Sequence, residues 1–89
     1  MGKSSSTLPL GNSRAKRVVR STSELGAMAR SQRESLGLRQ EDLSGLGNTG
    51  TRFIGDMERG KPTIQFQMVL DLLDLLGLEV VVQPKSAGS

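Results

Sequence analysis

Along residues 21–36 the apolar positions Leu25, Met28, Ala29 and Leu36 follow helical spacing, which gathers them on one face. Just ahead of them, "STSE" sets Ser21 and Glu24 at the capping-box interval, in which a hydroxyl accepts from the amide three residues on and the carboxylate reaches back. Gly37 is a natural stop, so a first helix is predicted over about residues 22–36. "RQEDLSGL" then predicts a short second helix, with Glu41 and Asp42 at its electropositive start, Leu43 and Leu46 inward, and Gly47 and Asn48 at its end. A third helix is predicted over residues 49–59, with Ile54 and Met57 inward and Gly60 closing it before Lys61 and Pro62.

The last predicted helix, residues 65–76, is apolar on two faces. Phe66, Val69, Leu70, Leu73 and Leu76 form the expected core stripe, Met68, Leu72 and Leu75 form a second, and Gln67, Asp71 and Asp74 form a polar one. A helix with two apolar faces calls for two partners. "LEVVVQP" follows as a strand ended by Pro84, and the chain offers it only Val18 and Val19 as a weak ladder partner. Pairing across a dimer axis is therefore expected, with Met68, Leu72, Leu75, Val80, Val81 and Val82 as the dimer interface. The alternative is that both stripes bury within one domain.

Length supports the dimer. The chain has 89 residues, and a unit of that size is marginal alone, so a homodimer merging two small cores would add apolar burial. It has no cysteine and no histidine, which removes disulfides, thiolate nucleophiles, zinc-thiolate sites and the usual general base; an enzyme, a metal centre and a cofactor are not expected. No apolar run has the length of a signal segment or a membrane span, so a cytoplasmic, nucleoid-associated protein is expected, with no membrane partner. The net charge of +3 conceals an asymmetry: residues 1–23 carry Lys3, Arg14, Lys16, Arg17 and Arg20 and no acid, whereas the remainder holds seven cations against nine acids. Such a tail is either an electrostatic handle for nucleic acid or a solvated end.

Two short helices joined by a tight turn, the second opening on small and cationic residues, match the helix-turn-helix plan; a plain helical bundle is the alternative. The pieces "RQEDL", "RFIGDMERGKPT" and "LLGLEVVV", in that order, resemble the phage-repressor-like (xenobiotic response element) helix-turn-helix family, and within it the HipB-type antitoxins, over about residues 21–83. The resemblance implies a mainly α fold: a compact four-to-five-helix repressor-like domain with a short C-terminal β-strand pairing across a dimer. Its divisions are a flexible basic tail (1–17), a DNA-binding domain (18–77), a dimerisation strand (78–84) and a flexible C-terminal tail (85–89).

The resemblance also implies site residues. The base-reading positions fall on Gly50, Thr51, Arg52 and Asp56, and the phosphate contacts on Arg39, Gln40 and Lys61. Arg52 carries the fork suited to guanine, Thr51 a hydroxyl and a methyl; Asp56 either accepts from cytosine or, the preferred reading, orients Arg52. Arg33 and Glu58 fall where the family has an internal ion pair. Phe53 either packs between helices, the preferred reading, or meets a thymine methyl. Three positions depart from the pattern: Arg39 stands where Ser or Thr usually caps, and Gly45 and Gly47 replace better helix formers, so a motif that is loose when free and tightens on DNA or in the dimer is expected. The implied function is a sequence-specific transcriptional repressor, the antitoxin of a HipBA-like module that represses its own operon and restrains a HipA-like serine/threonine kinase. The alternatives are a protein-interaction inhibitor, with Asp71, Asp74 and Glu79 toward its partner, and a stand-alone phage-like repressor.

Overall fold

Ser21 sets the first boundary, its Oγ accepting from the Glu24 amide at 3.0 Å. The Glu24 carboxylate reaches one residue further back than a capping box requires and accepts from Arg20 N at 2.6 Å. From this start α1 runs Thr22–Ser35, followed by α2 (Gln40–Gly47), α3 (Thr51–Arg59) and α4 (Phe66–Leu75). The computed structural model describes residues 16–85; the tails expected at 1–17 and 85–89 lie almost wholly outside the described residues. Helix α3 starts two residues later than its periodicity predicts. Asn48 takes the left-handed conformation at φ 55°, Thr49 N donates to Ser44 O at 3.0 Å, and the Ser44 hydroxyl donates to Thr49 O, so Thr49 belongs to the turn.

Helices α1 and α3 meet backbone to backbone. A Cβ added to Gly26 would lie 2.6 Å from Glu58 O and would also strike Met57 O. At the end of α3, Gly60 has φ 81°, and a Cβ there would lie 2.5 Å from Ser23 Cα. Thr22 Oγ1 closes this contact by donating to Gly60 O at 2.7 Å. Side chains of any size at 26 or 60 would force the helices apart, and with them everything α3 presents.

The core takes residues from all four helices: Ala29, Leu43, Ile54, Met57, Val69, Leu72, Leu73 and Leu76, with Leu25, Leu38, Phe53, Ile64 and Leu78 packed against it. Leu72 corrects the expected dimer interface. It is only 2% exposed, and its Cδ2 would lie 2.5 Å from a Cβ at Gly47, so α2 and α4 approach over that glycine. The buried arc of α4 is Val69, Leu72, Leu73 and Leu76, rotated from the expected stripe. Phe66, in the first turn, is consequently 55% exposed. Leu46, expected inward, is also exposed, because the short α2 reaches the core through Leu43 alone.

The described residues include no strand. Residues 78–85 contain no ladder, since a strand exists only with a partner and none is offered among the described residues; Val80, Val81 and Val82 are exposed. Two glycine substitutions test the packing. Gly26→Ala is expected to destabilise the fold by roughly 1–3 kcal/mol through overpacking. Gly45→Ala, whose added Cβ meets nothing within 4 Å, is expected to stabilise it by about 1 kcal/mol. Urea unfolding of both variants checks the contrast, and equal effects would refute it.

Candidate nucleic-acid interface

The start of α2 has no hydroxyl cap, and Arg39 cannot accept an amide proton. Asp42 supplies the missing closure from within the helix: its Oδ2 accepts from Arg39 N at 2.8 Å, while the Arg39 guanidinium donates to the same carboxylate at 3.2 Å from Nε and 3.2 Å from Nη2. The departure that marked α2 as weak is thus partly offset three residues on. Hydrogen bonds from the Arg39 side chain, and then from its backbone, hold the Asp42 carboxyl below its ordinary pKa, and the same contact raises that of Arg39.

Beneath this surface lies one buried ion pair. Arg33 Nε donates to Glu58 Oε2 at 2.6 Å and Nη2 to Oε1 at 3.0 Å, while Nη1 donates to Leu38 O at 2.7 Å. The two side chains are 8% and 4% exposed. The hydrogen bond to Glu58 raises the Arg33 pKa despite burial, so the guanidinium stays charged. Glu58 Oε1 also accepts from Gln40 Nε2 at 3.1 Å. One carboxylate therefore joins α1, α2 and α3, and no buried side-chain polar atom among the described residues lacks a partner. Gln40 stands at the first position of α2 with its side chain already oriented.

Helix α3 buries Ile54, Gly55 and Met57, with Phe53 part-buried against the core as the packing reading expects. Its other end is open: Gly50 is the N-cap and provides no side-chain hydrogen bond, and Thr51 and Arg52 are exposed. Asp56 does not orient Arg52. Its Oδ1 accepts from Arg59 Nη2 at 2.7 Å, and its Oδ2 lies 3.7 Å from Lys61 Nζ. The reason is the lean of helical side chains toward the N-terminus, which carries Arg59 back onto Asp56 and Arg52 away from it. Arg39, Gly50, Thr51, Arg52 and Lys61 are exposed, while Gln40 and Asp56 are half-buried. Arg59 was not singled out by sequence; its spacing of three from Asp56 was the available signal.

An α2–turn–α3 pair with an uncapped, outward-facing second helix defines a helix-turn-helix protein. Residues 24–83 match the family described as "Helix-turn-helix domain". A curated relative, the uncharacterized HTH-type transcriptional regulator y4mF of Sinorhizobium fredii, is 42% identical over 66 residues, covering 74% of this chain and 86% of the relative. The chain belongs to the helix-turn-helix family of DNA-binding transcriptional regulators. Among solved structures, a HipB–O2 20mer complex matches with TM-score 0.73 at 15% identity, covering 81% of this chain and 100% of that one. A HipA–HipB–O2–O3 complex gives TM-score 0.73 at 15% identity, covering 80% and 100%. These two likenesses are of fold.

Two measurements test the scaffold. Arg33→Ala or Glu58→Ala leaves a buried charge unpaired and is expected to cost about 3–5 kcal/mol in chemical denaturation; a loss below about 1 kcal/mol would contradict burial of the pair. Because the folded pKa of Asp42 is depressed, its stabilisation is present above the unfolded value and is lost as pH falls through the folded one. Protection of the α2 amides, taken relative to their intrinsic exchange rates, should fall over that acid window in the wild type. Asp42→Asn should abolish this pH dependence, and identical profiles would dismiss the closure.

Proposed function

We propose that this protein is a sequence-specific repressor that inserts the tip of α3 into the major groove. In this reading Gly50, Thr51 and Arg52 face base edges, with Asp56 behind them, and Arg39, Gln40 and Lys61 meet phosphates. The observation that carries the reading is the open start of α3: an N-cap without a side-chain acceptor, followed by exposed Thr51 and Arg52, on a helix pinned from behind by a buried ion pair. Exposed amides at a helix start favour anionic phosphate, and the Arg fork suits guanine. The role is binding, without catalysis.

Sequence-specific reading of this type uses two half-sites, and a second copy of the chain supplies the mate. Exposed Leu75, part-buried Met68 and the segment with Val80, Val81 and Val82, which has no ladder partner among the described residues, support an interface in which the C-terminal segments of two copies pair as strands. The likeness to HipB in its complexes with DNA and with HipA supports the finer reading of an antitoxin that represses its own operon and restrains a HipA-like serine/threonine kinase in the cytoplasm. No helix among the described residues is long and apolar enough to cross a membrane. A stand-alone repressor is the second reading. The exposed acids Asp71, Asp74 and Glu79 favour a protein partner over it.

Selection from a random duplex pool, followed by binding titrations against salt, tests the reading. Arg52→Ala should lose about 1–3 kcal/mol of discrimination at one base pair. Lys61→Ala should weaken all sequences alike and reduce the slope of log affinity on log salt by about 0.9. Deletion of residues 1–17 should flatten that slope as well. A wild-type chain that selects no sequence would refute the repressor assignment, and co-purification without a kinase would refute the antitoxin.

A further inference from the structure

One cation outside the residues assigned above shares the outer face of α3 with Arg52. Arg59 follows Arg52 by seven residues, so at 3.6 residues per turn the two lie near one azimuth, about 10 Å apart along the axis. Its side chain is 70% exposed and lies back along the helix. Nη2 donates to Asp56 Oδ1 at 2.7 Å, and the guanidinium folds back over Gly55, where an added Cβ would lie 3.0 Å from Nη1, 3.6 Å from Nη2 and 3.7 Å from Cζ. Those are the nearest atoms around the Gly55 position, so the buried glycine is covered by Arg59 itself.

Stability does not account for this arrangement. An exposed ion pair at i, i+3 contributes less than an interior glycine loses relative to alanine. Asp56 also lies 3.7 Å from Lys61 Nζ, so a single carboxylate gathers two cations at the trailing end of α3 and leaves the group net positive. Only one of the five guanidinium donors of Arg59 is engaged within the described residues, and the others are available for a bidentate contact. A helix that enters the groove N-terminus first carries its trailing end at the groove rim, where the phosphates run.

We propose that Arg59 is a further phosphate-contacting residue, laid over the bare backbone of Gly55 and aimed along the helix by Asp56, which is a positioning residue and not a base reader. The inference rests on the reading that α3 enters the groove. Lys61 lies after the helix, and Arg59 adds a second grip two residues earlier, on the last turn of α3. Glycine at 55 serves to let the guanidinium lie flat.

The test uses the full chain and two probes: a mixed-sequence duplex and the duplex that the wild-type protein selects from a random pool. Arg59→Ala is expected to weaken both by the same factor and to reduce the salt slope by about 0.9, with Arg59→Lys retaining the wild-type slope. Gly55→Ala, whose methyl displaces only the end of a flexible side chain, is expected to lower the slope in the wild-type background and to do nothing further beside Arg59→Ala. A wild-type slope in Arg59→Ala, with wild-type binding intact, overturns the Arg59 contact alone. Absence of wild-type binding to either duplex overturns both this contact and the groove reading. A Gly55→Ala effect of equal size with and without Arg59 overturns the coupling of the two positions.

Discussion

Everything that α3 presents depends on a single buried carboxylate. Glu58 accepts from two nitrogens of Arg33 and from Gln40, so three helices converge on two oxygen atoms. A pair this dry gains little net stability over an apolar substitute, because both ions have been taken out of water. Its contribution is orientation. The planar guanidinium admits one arrangement of α1 against α3, and its remaining donation to Leu38 O ties down the connection that leads into α2. The amide of Gln40 is then held from inside the protein, so its start-of-helix position is set before any ligand arrives.

Around that anchor the backbone contacts are unusually close. Gly26 admits the last turn of α3, Gly60 turns under Ser23, and Gly47 admits Leu72. A domain of this size has few side chains with which to fill a core, and direct contact between helices reduces the volume that must be filled. The eight apolar residues buried among the described residues suffice because the helices stand so near.

Local features of the chain carried most of the architecture. The "STSE" interval, Gly37 and Gly60 mark ends that lie within one or two residues of those observed, as in the predicted 22–36 against Thr22–Ser35. Capping and left-handed stops are properties of neighbouring residues, which is why they are readable. The rotation of α4 was not, because Leu72 and Phe66 are equally apolar and only the position of Gly47 on another helix decides which is covered. Gly26 was silent for the same reason. The pairing of Arg33 with Glu58 came from resemblance, since 25 residues separate them and no periodicity links them. Asp56 was set toward Arg52 because phosphate repels a bare carboxylate, whereas the lean of helical side chains gives it to Arg59.

The division of labour between the two sides of α3 has an evolutionary corollary. Ile54, Met57 and Glu58 hold the helix from within, and Thr51, Arg52, Asp56 and Arg59 take almost no part in that support. Mutations on the outer side are therefore nearly free of folding penalty, so a descendant lineage can remodel that surface while inheriting the same chassis unchanged.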